Sequence, residues 1–469
     1  MSRLSKAFNQ EREFYKAREL AYGLLNCNGR HTITGLIGAI GKQFTDWSSF
    51  YRLFQEEGRM DVNEIFSIIT DILLENELSE KETIYAHMDD TLLHKKGKKV
   101  NGTAWRRDPL GPPFHTNFIW GQRFLQLSIA LSQSSVNSPS RSIPVDIQHC
   151  PTAKKPKKND SKDKWEAYKK RKERTKLSFQ GVQRIKALRV SLDEKGAEEK
   201  TLVVSVDGSY TNRTVLKQIP ERTVIIGRIR KDSRIYALPE ETNSNRGRRK
   251  IYGQLLQTPE KMRKDDKIPW QEVRAFAAGK SHLFNVKIIK NVRWRASGEN
   301  IVQLIIIRPL AYKLTKKSRL LYRKPAYLIC TDPNLGIEEL LQAYLWRWEI
   351  EVNFKEEKSL LGVGEAQVRK AKSVEKVPAF FVAVYSLLLI AAHRTAKFTS
   401  ANQLPRPKWY PREKSNRTTT GDIINVLRAQ LYSRAIDVNF LHFVNSNYRY
   451  AKSVFSNNPL LSAAFFMRN

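Results

Sequence analysis

The stretch from Tyr344 to Lys358, YLWRWEIEVNFKEEK, constrains this chain more than any other. Tyr344, Arg347, Glu351 and Lys358 stand at offsets of 0, 3, 7 and 14, and at about 100° per residue they fall within roughly 60° of one another on a helix. A single helix over residues 336–358 is therefore expected to carry a phenol, a guanidinium, a carboxylate and an ammonium on one narrow face. Leu345, Ile350, Val352 and Phe354 lie off that line and can face a core. By itself such a stripe is a solvated face whose internal ion pairs contribute little. Two segments upstream change its meaning.

Both segments are strand-like runs that stop at a carboxylate. The first is TIYAHMDD at residues 83–90, and the second is TLVVSVD at residues 201–207, followed by Gly208. An Asp just beyond a buried strand sits where a sheet meets solvent, a common place for ligands in α/β architectures. Two carboxylates at strand ends and one on a helix suit Mg²⁺, a hard cation that takes oxygen ligands and keeps positions open for water and phosphate oxygens.

Asp89-Asp90-Thr91, the run from Val206 to Tyr210 (VDGSY) and the signature Tyr344, Arg347, Glu351, Lys358 together resemble the DDE transposases of bacterial insertion sequences, in the branch marked by a Tyr-Arg-Glu-Lys signature. The resemblance runs from about residue 80 to 370. It implies an RNase H-like α/β core, a mixed sheet flanked by helices, interrupted by a mostly β insertion between the second and third acids. It carries the catalytic acids onto Asp90, Asp207 and Glu351, which serve as ligands for two Mg²⁺ or Mn²⁺ ions. The family's first acid precedes a Thr, which selects Asp90 over its neighbour Asp89. Tyr344, Arg347 and Lys358 are expected to bind phosphates beside the cut, Arg through a bidentate fork and Lys as a point charge. Trp348 is placed to press on a displaced base or to pack in a core. Trp294, set between two arginines in VRWRA, can stack on an unpaired base; packing within its own subdomain is the alternative.

The implied activity is cut-and-paste DNA transposition: binding the terminal inverted repeats of a mobile element, cleaving there with two metal ions, and joining the freed 3′-OH to target DNA, with a homodimer acting on paired ends. An RNase H-like nuclease or resolvase without strand transfer shares the same site, and a catalytically inactive DNA-binding derivative is the non-enzymatic alternative. Charge agrees with a polyanionic partner: 82 Lys and Arg against 47 Asp and Glu give a net charge of +35, spread along the chain. Cys27, Cys150 and Cys330 are far apart with no CxxC, which argues against a disulfide framework or zinc site and suits a reducing, cytoplasmic, nucleoid-associated setting. The first residues have no signal-peptide apolar region, and the apolar run Val377 to Ala392, broken by Pro378 and Ser386, reads as a core helix rather than a membrane span.

The chain divides accordingly into residues 1–79, helical and DNA-binding, with a weak helix-turn-helix pattern around residues 41–46; 80–215, the first part of the core; 216–325, the β insertion; 326–396, the second part of the core; and 397–469, a helical tail. Within the first core part, residues 154–176 hold twelve Lys or Arg and are expected to form a basic loop followed by a helix packed on the sheet. NRGRRK at residues 245–250 reads as an exposed basic loop of the insertion.

Overall fold

The computed structural model describes residues 2–108, 111–112, 117–240, 250–312, 318–395 and 418–437. Four helices come first: α1 (Glu11–Asn26), α2 (Ile33–Ala39), α3 (Ser48–Gln55) and α4 (Val62–Asn76). Thr32 starts α2 by accepting the Gly35 N–H at 3.0 Å, and Asp61 starts α4 by accepting from Asn63 and Glu64. The α1–α2 approach is close because Gly23 has no side chain; a Cβ there would lie 2.5 Å from the Leu36 carbonyl oxygen. In α3, the second helix of the helix-turn-helix pattern, Phe50, Leu53 and Phe54 are buried and Phe54 packs edge-on against Phe380.

The strands follow from Thr83. They are β1 (Thr83–His94), β2 (Ala104–Arg107), β3 (Phe118–Ser132) and β4 (Ser140–His149), then helices α5 (Lys162–Arg174) and α6 (Leu177–Glu194), and then β5 (Thr201–Val206). After the short helix α7 (Arg213–Leu216) come β6 (Thr223–Arg228), β7 (Ile235–Tyr236), α8 (Pro259–Lys264), β8 (Gln271–Ala277), β9 (Lys280–Trp294) and β10 (Val302–Ile307). The small pair β11 (Ala311–Tyr312) and β12 (Leu321–Tyr322) precedes β13 (Ala326–Cys330), α9 (Ile337–Trp346), α10 (Trp348–Ser359), α11 (Ala371–Thr395) and α12 (Thr420–Ala435).

Five strands in the order β4-β3-β1-β5-β6 form a mixed sheet, with β1, β5 and β6 parallel and β3 and β4 antiparallel. Helices cover it, α6 on one face and α9, α10 and α11 on the other. This is the RNase H-like α/β arrangement that the resemblance implied. Leu202, Val203, Val204 and Val206 of β5 are all buried, as a central parallel strand between two helical layers requires.

Four local expectations need correction. Residues 223–228 were assigned to the insertion, yet they form β6, which pairs directly with β5 as the fifth core strand. The later strands do not form a separate β unit: β13 pairs with β6, and β10 and β9 continue outward, so that eleven described strands belong to one sheet. The basic helix α5 buries no residue, whereas α6 buries Val182, Ile185, Leu188 and Leu192. Only α6 has aliphatic residues at helical spacing, so it takes the sheet-covering role. Finally, the single helix over 336–358 is two helices that meet at Arg347. The NRGRRK loop, apart from Lys250, and most of the helical tail lie outside the described residues.

α11 is long and apolar enough to cross a membrane, but most of it is buried within this chain, against β4 and α4. Its Tyr385 donates to Asn353 and Glu356 of α10, and Asn353 in turn donates to Ser128 Oγ and Ser142 O. One residue of α10 has an acidic group in the same interior. Glu357 is 1% exposed and accepts from Gln126 Nε2 at 3.0 Å. Burial pushes its carboxyl up to about 8, with Gln126 and Lys358 only partly opposing.

The neutral acid is therefore the form the fold prefers. Its contribution is complete below the ordinary carboxylate range and is lost as pH rises through about 8. Glu357→Gln is expected to raise the melting temperature above that of the parent at pH 8, and to flatten the dependence on pH between about 4 and 8. Thermal melts across that range check this; parallel curves for the two proteins would contradict it.

Candidate active site

Alternation along β1 decides what each acid faces. Tyr85 donates to Glu339 of α9 at 2.6 Å, and Gln126, the ladder partner of Asp89, reaches Glu357 of α10. In β5, Ser205 donates to Ala343 O of α9 at 3.0 Å. Odd positions of both strands therefore look toward α9 and α10, while Met88 and Tyr210 pack against Gly181 of α6, where an added Cβ would come within 3.0 Å of both. Met88 pairs with Val206 at the end of the parallel ladder, so Asp89 and Asp207 emerge side by side at its open end.

Asp89 faces Arg347. The guanidinium donates to Asp89 Oδ2 at 2.9 Å through Nη1 and to Glu351 Oε1 at 3.0 Å through Nη2, so one cation joins the strand acid to the helix acid. Asp89 Oδ1 is also occupied, accepting the Asp90 N–H at 2.8 Å. Burial pushes the Asp89 carboxyl up to about 7; Arg347 and the backbone N–H oppose this, and the charges of Asp90 and Asp207 add to it. Behind Arg347 lies His87, fully buried, with no hydrogen-bond partner for either ring nitrogen among the described residues. Burial and the Arg347 charge push it down to about 3, so it is neutral.

Asp90 turns the other way. It accepts the Tyr210 hydroxyl at 2.7 Å and has Arg123 Nε at 3.4 Å. Tyr210 belongs to the turn after β5, its own N–H donating to Asp207 O at 3.0 Å, so a single side chain ties Asp90 to the Asp207 turn. Burial and the Asp90 charge raise the Tyr210 phenol well above its ordinary value, keeping it a neutral donor.

Asp89, Asp90, Asp207, Arg347, Glu351 and Lys358 line one cleft of about 1560 Å³. Arg30, Lys95, Arg107, Arg123, Lys355 and Arg369 line it as well, with Asp108 and Glu365 among them. Tyr344, Trp348 and Trp294 are not among the lining residues. Tyr344 is half-buried, with the Arg347 guanidinium 5.9 Å from its ring centre. Trp348 is 61% exposed, and Trp294 is half-buried at the end of β9, paired with Ile235 and packed on hydrophobic core. The break between α9 and α10 explains the split of the polar stripe: Arg347, Glu351 and Lys358 reach the cleft, and Tyr344 stays with α9.

Sequence reasoning weighed Asp89 only as the alternative to Asp90, and gave Arg123 and Tyr210 no place in the site. Asp89 could have been read from strand alternation, since it shares parity with the β1 residues that face α9. Tyr210 was visible in VDGSY but carried no spacing rule. Arg123 lies thirty-three residues past Asp90, and only the β1–β3 ladder brings it near.

The residues suit a hard divalent cation in kind: Asp89, Asp90, Asp207 and Glu351 are carboxylates of one cleft, and the Asp89 carboxyl is raised by burial first and by the charges of Asp90 and Asp207 in addition. In position they are not yet gathered. Among the described residues no three acidic, imidazole or thiol groups converge at metal-ligand spacing. The reason is local, since Arg347 stands between Asp89 and Glu351 while Tyr210 and Arg123 hold Asp90 aside.

No curated protein matches the chain. A family model described as DDE superfamily endonuclease matches residues 3–299, a span that includes Asp89, Asp90, Asp207 and the strands carrying them, and ends before Glu351. With well over half of its length matched, and an RNase H-like sheet that opens a carboxylate-lined cleft where the β1–β5 ladder ends, the chain belongs to the DDE superfamily endonucleases.

Proposed function

We propose that this chain is the transposase of a mobile DNA element: it binds the element's terminal repeats as a homodimer, cleaves there, and joins the freed 3′-OH to target DNA. The observation that carries this reading is that Asp89, Asp90, Asp207 and Glu351 share one cleft with a majority of Lys and Arg among its charged residues. The Lys and Arg side chains attract a phosphate backbone, but the Asp and Glu side chains repel the phosphate to be cut. The two are compatible when divalent cations lie between them.

Asp90, Asp207 and Glu351 would hold Mg²⁺ or Mn²⁺, which supplies Lewis-acid activation of the scissile phosphate and of the attacking hydroxyl. Asp90 is favoured over Asp89 by what already engages each. Both oxygens of Asp89 accept hydrogen bonds, one of them from a buried guanidinium, whereas Asp90 has one neutral phenol donor and a loose ion pair. The freer carboxylate is the better ligand, and Asp89 is the anchor that positions Arg347. When DNA enters, Arg347 can exchange Glu351 for a phosphate oxygen, and Lys358 adds a second positive charge beside it. No protein nucleophile is required. A 3′-OH can replace water as the attacking group in the same geometry, which supports strand transfer as well as hydrolysis.

Asp207→Ala, Glu351→Ala and Asp90→Asn are each expected to lower Mg²⁺-dependent cleavage of element-end duplexes by about a hundredfold or more, with DNA binding retained. Asp89→Asn should lose much less. Gel assays of cleavage and binding check this, and a larger loss for Asp89→Asn than for Asp90→Asn would move the ligand role to Asp89.

A precut end bearing a 3′-OH, incubated with plasmid and Mg²⁺, is expected to yield joined products. Hydrolysis without joining would favour the nuclease or resolvase reading.

A further inference from the structure

Beyond the cleft, the β2–β3 ribbon presents an aromatic face with no part in the chemistry described above. Trp105 pairs with Trp120 and Arg107 with Phe118 across the ladder, so two indoles, a phenyl ring and a guanidinium share one side of the ribbon. Trp105 is 68% exposed and Phe118 55% exposed. The indole rings of Trp105 and Trp120 lie 5.5 Å apart at 65°. Trp120 is fixed by its Nε1, which donates to Gly97 O at 3.2 Å, in the loop that carries the exposed Lys96, Lys98 and Lys99.

Strand alternation puts this face on the same side of the sheet as Asp89. Trp120, Gln122, Phe124 and Gln126 share parity, and Gln126 is the ladder partner of Asp89. Six residues separate Trp120 from Gln126, which at about 3.3 Å per residue is roughly 20 Å. Lys96, Gly97 and Arg107, which adjoin the aromatic face, also line the cleft.

We propose that Trp105, Trp120 and Phe118 form a stacking platform for unpaired bases of the DNA strand that leaves the cleft, with Lys96, Lys98, Lys99 and Arg107 holding its phosphates. The inference rests on the reading that DNA occupies the cleft. Rings this exposed contribute little to the core, and they offer flat π faces beside cations, which is the combination that binds single-stranded nucleic acid. Bases of an intact duplex are covered by their neighbours, so the platform selects unpaired ones. At about 3.4 Å per nucleotide, the platform is reached about six nucleotides from the cleaved phosphate.

The test compares the full chain with its Trp105→Ala and Trp105→Phe variants. Each is titrated with a fluorescent duplex and with the same duplex carrying an unpaired tract of about six nucleotides on either strand. The proposal expects the parent to prefer one tailed duplex, with quenching of tryptophan fluorescence. It expects Trp105→Ala to lose about tenfold in affinity for that duplex alone, and Trp105→Phe to retain most of it.

Equal weakening of tailed and fully paired duplexes, or no weakening of either, would overturn the platform while leaving DNA in the cleft. A dimer of the parent that becomes a monomer with Trp105→Ala, at unchanged DNA affinity, would also overturn it and give the face to a second copy of the chain. Failure of the parent to bind either duplex would remove the underlying reading and the platform together.

Discussion

The bridge from Arg347 to Asp89 and Glu351 is the interaction on which the site depends. Asp89 comes from the middle of the sheet and Glu351 from a helix laid over it, and the guanidinium between them fixes the distance from strand to helix. The group is largely buried, and its Nε has no hydrogen-bond partner among the described residues. A buried cation in this setting is stabilised by its two carboxylates and is costly to leave alone. Arg347 therefore holds the positive charge that the acids require when no other cation is beside them.

The surrounding fold keeps that bridge in register. Ser205 anchors α9 on β5, while Gln126 and Ser128 of β3 bind Glu357 and Asn353 of α10, so both helices flanking Arg347 are tied to the sheet by buried polar contacts. On the opposite face, Gly181 lets α6 come close enough to press on Tyr210 and Met88, and Tyr210 connects Asp90 to the Asp207 turn. The site thus has two linked halves, Asp89 with Glu351 through a guanidinium and Asp90 with Asp207 through a phenol. A dication that drew the acids together would have to break one link of each half.

Much of this was legible in the sequence. The apolar runs leading to Asp90 and Asp207 are strands, although β1 continues past Asp90 to His94 and only the structure pairs the two in parallel, and the spacing from Arg347 to Glu351 to Lys358 gave a helical face that does reach the cleft. The parts that were not legible depend on tertiary register. Strand β6 could not be told from an insertion strand, because an apolar run of six residues does not say which neighbour it pairs with. The break at Arg347 leaves no mark in composition, since no Pro or Gly stands there. The helix expected on the sheet after the basic loop is α6 and not α5, because α5 buries no residue and α6 buries four aliphatic ones.

The family match covers the two strand acids and stops before Glu351, so the third acid rests on geometry: it lines the same cleft and shares Arg347 with Asp89. The central claim is that Arg347 occupies the electrostatic position of a divalent cation. The most direct measurement is a Mn²⁺ titration, followed by electron paramagnetic resonance, of the parent and of Arg347→Ala in the absence of DNA. The account predicts that Arg347→Ala, with its fold intact, binds Mn²⁺ more tightly than the parent does. Equal or weaker binding by a folded Arg347→Ala chain would contradict it.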